Sequence, residues 1–240
     1  MGRAHEVRAA SMAKTAAKKS KLYSRYGKEI YMAAKAGVPD PDMNLTLKRK
    51  IAEAKSNQVP ADVIKRAVEK AKGGDAEAYT SARYEGFGPG SATIIVDCLT
   101  DNSNRTISAV KTCFNKAKCK LGVPGSVSFN YENVGLLEFE YDQTEDDLIE
   151  LLLMADVDVN KIEVEDNFAR VTVASNDLHH AQEVIIEALG DIKFETCQLA
   201  MVPTEYVEIT NEDDKVLWDR LLSLLDDTDD VSEVFTNVKE

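Results

Sequence analysis

The stretch from Val134 to Pro203, which begins VGLLEFEYDQTEDDLIELLL, alternates between strand-like and helix-like patterns in an order that decides the fold. Apolar or alternating runs predict strands, and apolar residues at i, i+3 and i+4 predict helices. In chain order these are a strand at Val134–Tyr141, a helix marked by Leu148–Ala155, strands at Lys161–Val164 and Ala169–Ala174, a helix marked by Ala181–Ala188, and a strand at Lys193–Met201. The order strand, helix, strand, strand, helix, strand is typical of a ferredoxin-like unit.

The segments on either side of this stretch predict a second unit of the same kind. Each segment reads strand, helix, strand. The predicted strands are Ser91–Leu99, Ser126–Tyr131, Tyr206–Ile209 and Val231–Asn237, and the predicted helices are marked by Ile107–Leu121 and Val216–Leu224. Because the two segments complete one unit when they are joined across the middle stretch, we predict that one ferredoxin-like α/β domain is inserted into another.

The N-terminal third has a different pattern, in which Pro or Gly separates runs of helical period. A first helix is predicted from about Lys14 to Ala36, a second is capped by Asp40 or Asp42, and a third begins at Pro60 and ends at Gly73–Gly74. Their apolar stripes are Ala16, Tyr23, Tyr26, Ile30 and Ala34, then Leu47, Ile51 and Ala54, then Ile64, Ala67, Val68 and Ala71. Three short stripes with short links predict a small bundle.

The whole chain is therefore predicted to be an α+β multi-domain protein, with an N-terminal three-helix bundle followed by two ferredoxin-like α/β domains, the second inserted into the first. We expect the bundle to comprise residues 1–78, the discontinuous outer domain residues 79–132 plus 205–240, and the inserted domain residues 133–204.

Charge is segregated along the chain. The first 72 residues contain 17 Lys and Arg against 7 Asp and Glu, whereas the chain as a whole has a formal net charge of −13. From Leu121 onward there are 30 Asp and Glu against 6 Lys and Arg. A basic field attracts phosphate backbones, and the acidic α/β domains are candidates for contact with a protein partner.

Five cations recur on one face of the first predicted helix, at spacings of 4, 3, 4 and 3: Lys14, Lys18, Lys21, Arg25 and Lys28. We expect this face to point outward, because the apolar stripe lies on the opposite side. Like charges at i, i+4 cost stability, and a polyanion would supply the counter-charge. In the alternative interpretation, these cations only solubilise the helices. The predicted nucleic-acid-binding residues are Lys14, Lys18, Lys19, Lys21, Arg25, Lys28, Lys48, Arg49, Arg105, Lys111, Lys116, Lys118 and Lys120.

Other classes of function find no support in the sequence. Cys98, Cys113, Cys119 and Cys197 form no CxxC pair and have no nearby His, so we predict free thiols and no metal. The YEGFGPGS segment is followed by a predicted strand, which favours a tight turn over a nucleotide loop. No motif joins a nucleophile, a base and an orienting acid, so we predict no enzyme activity and no cofactor. No apolar run is long enough to span a membrane and no secretory signal is present, which predicts a cytoplasmic protein with no membrane partner.

Three motifs together resemble the signature of the YebC/PmpR family of regulatory proteins. They are the YEGFGPG segment from Tyr84, the LTDNSNRT segment from Leu99 and the LGVPGSV segment from Leu121. The resemblance extends over essentially the whole chain and implies a helical bundle followed by two α/β domains. Lys118–Cys119 stand where the family often has Gly-Gly, which adds positive charge.

The resemblance implies a DNA-binding transcriptional regulator, the usual description of the family. Related proteins, including mitochondrial translational activators, act at the ribosome and assist translation of difficult sequences such as proline runs. We therefore predict a non-enzymatic regulator that binds the phosphate backbone of nucleic acid. DNA is the target in the first interpretation, and ribosomal RNA is the target in the alternative, a ribosome-associated translation factor.

Overall fold

A computed structural model of the chain describes residues 3–73, 79–190 and 192–239, with the side chains of residues 3–18 outside the described part. The predicted side-chain positions of Lys14, Ala16 and Lys18 lie outside the described part. Gly74, one of the two predicted helix stops, lies outside them as well.

Three helices form the N-terminal bundle: α1 (Arg3–Lys35), α2 (Leu45–Ser56) and α3 (Ala61–Lys72). The predicted stripes meet in one apolar cluster, whose buried residues include Tyr26, Ile30, Ala34, Leu47, Ala54, Ile64, Ala67 and Ala71. The predicted cap of α2 is wrong. Asn44 accepts the hydrogen bond from the Leu47 amide at 3.0 Å, because α2 begins at Leu45 and Asn44, not Asp40 or Asp42, is the residue directly before it.

The remaining elements form two four-stranded antiparallel sheets with helices. In chain order they are β1 (Thr80–Phe87), β2 (Thr93–Thr100), α4 (Ser103–Lys116), β3 (Lys120–Leu121), β4 (Tyr131–Glu140), α5 (Glu145–Met154), β5 (Val159–Glu165), β6 (Phe168–Ala174), α6 (Leu178–Leu189), β7 (Phe194–Pro203), α7 (Glu212–Asp226) and β8 (Val231–Thr236). The predicted α+β architecture is confirmed.

The second sheet has the strand order β5-β6-β4-β7, which is the order of a ferredoxin-like unit. Its helices α5 and α6 pack with it around one core that contains Leu137, Phe139, Leu152, Ile185 and Phe194. Every strand and helix predicted between Val134 and Pro203 is present, with ends shifted by a few residues.

The first sheet has the order β3-β1-β2-β8, so it is built from strands on both sides of the inserted unit. Two of its predicted strands are wrong. Ser126–Tyr131 contains a short 3-10 helix at Ser128–Asn130, and Tyr206–Ile209 forms only an isolated bridge from Val207 to Val238. Strand β1, which no prediction named, forms the hairpin with β2 instead.

Buried Glu85 on β1 explains why residues 126–130 do not form a strand, although Tyr131 begins β4. Its carboxylate accepts hydrogen bonds from the backbone amides of Gly125, Val127 and Ser128 at 2.8, 2.7 and 3.0 Å. Burial favours the protonated acid, but these three bonds favour the anion more strongly and lower the pKa of Glu85. These backbone amides therefore donate to one side chain and are not available for the hydrogen bonds of a β-sheet.

None of the described helices is long and apolar enough to cross a membrane.

Candidate nucleic-acid interface

Lys21, in the middle of α1, binds the C-terminal end of α7. Its Nζ donates hydrogen bonds to the carbonyl oxygens of Leu225 at 3.3 Å and Asp226 at 2.9 Å, and lies 3.5 Å from Asp226 Oδ1. The last carbonyls of a helix have no partner within the helix and carry partial negative charge. Lys21 therefore caps α7 from outside.

Lys28, two turns further along α1, binds the turn that follows α7. Its Nζ donates to the carbonyl oxygens of Leu99 at 3.1 Å and Asp229 at 3.4 Å, and lies 3.9 Å from Asp230 Oδ1. We call residues 226–230, with the sequence DDTDD, the acidic turn. Lys21 and Lys28 thus contact the two ends of the acidic turn.

Arg25 lies between these two lysines and is almost completely buried, with 5% of its surface exposed. Its guanidinium forms an ion pair with Glu233 on β8, donates to Gln198 Oε1 on β7 at 2.8 Å, and has Nε 3.6 Å from Glu29 Oε1. One arginine therefore connects the bundle to both sheets.

The expectation that the cationic face of α1 points outward is wrong for Lys21, Arg25 and Lys28. The bundle covers one side of α1, and the acidic turn and strand β8 cover the side that carries these three cations. Charge complementarity between the basic bundle and the acidic C-terminal segment accounts for this packing. The pattern of α1 alone could not predict it, because the acidic partners lie about 200 residues further along the chain.

Other predicted cations are exposed and have no carboxylate partner. None of them forms an ion pair with any residue that the structure describes. They are Lys19 on α1, Lys48 and Arg49 on α2, and four lysines on α4, in the turn after it and on β3, namely Lys111, Lys116, Lys118 and Lys120. We call the last four the lysine patch.

The sequence that forms α4 explains the lysine patch. Asn102 caps α4 by accepting from the Arg105 amide at 3.1 Å, and Val110 and Phe114 turn the opposite face into the core. A Cβ on Gly86 would lie 2.2 Å from Phe114 Cε1, so glycine permits β1 to approach α4 closely. The exposed face is free of acidic residues from Asn102 to Lys120.

Arg105 is half-exposed but committed to neighbouring carboxylates. Its Nη2 lies 2.9 Å from Asp230 Oδ2 and 2.7 Å from Asp101 Oδ1, and Thr106 Oγ1 donates to Asp230 Oδ2 at 2.8 Å. Burial raises the pKa of Asp230, but the hydrogen bonds from Arg105 and Thr106 outweigh burial and keep the pKa below its ordinary value. Arg105 thus positions the acidic turn.

The structure brings the predicted α1 and α4 regions together at the acidic turn. Asp230 receives both Arg105 from α4 and Lys28 from α1, and the C-terminal end of α7 receives both Lys21 and the Cys113 thiol. Lys48 and Arg49 lie elsewhere, because α2 packs on α1, α3 and β7, whereas α4 packs on α7, β2 and β3.

Asp226, Asp230 and Glu233 were not predicted as partners of the basic face, although the sequence contains a signal for them. Acidic residues stabilise a helix N-terminus, as residues 212–214 do at the start of α7. Asp226 and Asp227 stand at the opposite end, where the helix dipole repels them. An acidic cluster at a helix C-terminus indicates nearby cations.

The four cysteines are free, as predicted. The part of the chain that the structure describes contains no group of His, Cys, Asp and Glu able to hold a metal.

These features define a class of α+β proteins in which a basic helical bundle rests on two antiparallel sheets. The chain matches the family model described as TACO1/YebC protein N-terminal domain over residues 3–74, and the one described as TACO1/YebC second and third domain over residues 79–238. It therefore belongs to the TACO1/YebC family, and the resemblance seen in its motifs is confirmed.

Relatives resemble the chain over nearly its full length. A "probable transcriptional regulatory protein" of Pseudoalteromonas translucida is 48% identical over 237 residues, which cover 99% of this chain and 98% of the relative. One of the same description from Acholeplasma laidlawii is 50% identical over 240 residues, with 99% and 98% covered. The crystal structure of a conserved hypothetical protein from Aquifex aeolicus has a TM-score of 0.77 and 29% identity, and the match covers 92% of this chain and 90% of that one.

Proposed function

We propose that this protein is a non-enzymatic, nucleic-acid-binding regulatory protein that acts in the cytoplasm and binds phosphate backbones through exposed lysines. The observation that carries the proposal is the lysine patch. It holds four cations without a described ion-pair partner in a chain whose net charge is −13. The names of the relatives, which describe transcriptional regulation, support a regulatory role.

The proposed contact surface consists of the lysine patch and the N-terminal part of α1. Lys14, Lys18 and Lys19 belong to α1, and Lys48 and Arg49 form a separate exposed pair on α2. Lysine is a flexible point charge that suits phosphate better than base edges. We therefore expect binding that depends strongly on salt and weakly on sequence.

The relatives' names favour DNA as the target. A second candidate is a translation factor that binds ribosomal RNA, and the composition of the exposed set favours it. Six of the seven predicted cations that are exposed without a described ion-pair partner are lysines, rather than the arginine, asparagine and glutamine side chains that read base edges. Binding to ribosomes, compared with binding to random and promoter DNA at matched salt, distinguishes the two candidates.

The proposal is tested with Lys111→Ala, Lys116→Ala and Lys120→Ala combined, and binding to a random DNA duplex is measured at several salt concentrations. We expect weaker binding and a log–log salt slope smaller by roughly 3, since each phosphate contact contributes about 0.9. The matched control combines Lys161→Ala, Lys215→Ala and Lys239→Ala, which remove the same charge from lysines already paired with Glu163, Glu212 and Glu208. Equal effects of the two triple variants would contradict a local binding surface.

A further inference from the structure

We propose that the acidic turn and Glu233 form an autoinhibitory contact, in which they occupy the basic face of α1 and compete with nucleic acid for it. This inference rests on the proposed function. It assigns a second role to Lys21, Arg25 and Lys28, whose partners in the structure are carboxylates and helix-end carbonyl oxygens.

The contact presents α1 with oxygens of the kind that a phosphate backbone presents. Lys21 meets two carbonyl oxygens and one carboxylate, and Lys28 meets two carbonyl oxygens and the carboxylate of Asp230. All are negatively charged or partly negative acceptors, and each accepts from a lysine that a phosphate could equally engage. A polyanion that binds this face must therefore displace the acidic turn.

The junction between bundle and sheets is built so that it can separate. The apolar core of the bundle and the cores of the two sheets are separate clusters, and polar contacts of Lys21, Arg25 and Lys28 cross the junction beside an aromatic contact between Tyr31 and Tyr79. A cleft of about 760 Å³ lies in the junction, lined by charged side chains that include Arg25 and Glu233 and by apolar ones that include Met32, Leu199 and Met201. The side chains of Lys21 and Lys28 are 24% and 18% exposed in their ion pairs, and partly hydrated pairs of this kind are weakened by salt and exchange readily with other ions.

The lysine patch is connected to the acidic turn through α4, which carries Lys111 and Lys116 and contacts the turn with Arg105 at its N-terminal end. Its helix α4 shares Asp230 and the end of α7 with α1. Nucleic acid held first by the exposed lysines would raise the local phosphate concentration beside the acidic turn. Displacement of the turn would then free Lys21 and Lys28 for further phosphate contacts.

The test uses the full-length chain with Asp226→Asn and Glu233→Gln combined. Asp230 is kept, because it also anchors Arg105 and Thr106. We expect about tenfold tighter binding to a random DNA duplex at low salt, since two competing carboxylates are neutralised. The matched control, Asp219→Asn with Glu183→Gln, changes the net charge equally at exposed positions with no ion pair in the described structure, and should bind at most about twofold tighter.

Two further measurements make the outcome decisive. Adding Lys21→Ala and Lys28→Ala to the first variant should abolish its gain in DNA affinity, because the proposal attributes that gain to phosphate contacts of these two lysines. Small-angle scattering without nucleic acid should show a larger radius of gyration for D226N/E233Q than for the control, and circular dichroism should show that both remain folded.

The outcomes separate this inference from the proposed function. If the wild type binds nucleic acid but D226N/E233Q binds no more tightly than the control variant, the autoinhibitory contact is overturned and the proposed function stands. A gain that survives removal of Lys21 and Lys28 also overturns the contact. Absence of nucleic-acid binding by the wild type and every variant overturns the proposed function, and the inference with it.

Discussion

Lys118 combines a strained backbone with an exposed charge. It follows the C-cap of α4 with a φ of 56°, in the left-handed region that costs a residue with a Cβ about 1 kcal/mol or more. Glycine avoids this cost but gains more freedom in the unfolded chain. We expect Lys118→Gly to raise the free energy of unfolding by about 0.5–1 kcal/mol, measured by urea denaturation, while it weakens DNA binding and lowers the salt slope by roughly 1.

Gln58 supplies the control for this prediction. It also has a φ of 56° and is exposed, but it is uncharged and follows α2. Gln58→Gly should therefore stabilise the protein by a similar amount and leave DNA affinity unchanged. Destabilisation by Lys118→Gly would contradict the strain at this position, and equal DNA binding by the two variants would show that the charge at position 118 has no part in binding.

Among the elements, those with strong periodicity were predictable and those set by a distant side chain were not. The strands and helices between Val134 and Pro203 each carry an apolar pattern that local sequence displays. Strand β3 has only two residues, Lys120 and Leu121, which is too short for a pattern. Residues 126–131 alternate like a strand, yet Glu85, about 40 positions earlier, accepts hydrogen bonds from the amides of Val127 and Ser128 and of the preceding Gly125. Such a contact is invisible to local periodicity.

The segment from Gly122 to Ser128 should depend on the charge of Glu85. Glu85→Gln removes a carboxylate that accepts three backbone hydrogen bonds and places an NH₂ group against N–H donors. We expect a loss of about 1–3 kcal/mol in the free energy of unfolding at pH 7, measured in urea. Exposed Glu132 provides the control, since Glu132→Gln should change the free energy of unfolding by less than about 0.5 kcal/mol.

The deficit of the Glu85 variant should depend on pH. Folding lowers the pKa of Glu85 from its ordinary value of 4.5, so the stabilisation by the carboxylate is fully present above pH 4.5 and is lost as the pH falls through the folded-state pKa. The gap between wild type and Glu85→Gln should therefore be widest at neutral pH and narrower near pH 3. A gap of the same size at both pH values would show that the ionised state of Glu85 does not stabilise the fold.

At the scale of the whole molecule, composition predicted that basic and acidic residues are segregated along the chain. It did not predict where the basic and acidic surfaces contact each other. The count of Lys and Arg against Asp and Glu separates a basic N-terminal third from an acidic remainder. That count holds no information on packing, and the structure places part of the basic face against the acidic turn and Glu233. Three of the five aligned cations on α1 therefore contribute to assembly of the molecule, while the lysine patch remains exposed.

The inserted unit is connected to the rest of the molecule in a way that predicts independent folding. The Thr204 amide donates to the Asn130 carbonyl at 2.9 Å, so the chain enters and leaves the second sheet at adjacent points, and the sheet with α5 and α6 encloses its own core. A fragment of residues 131–203 therefore keeps every strand of that sheet and should unfold cooperatively in urea, as followed by circular dichroism.

A fragment of equal length, residues 95–167, cuts both sheets and should show no cooperative transition. An unfolded 131–203 fragment would mean that the contacts of β7 with α2 and of Met201 with the first sheet are required for the second sheet to form.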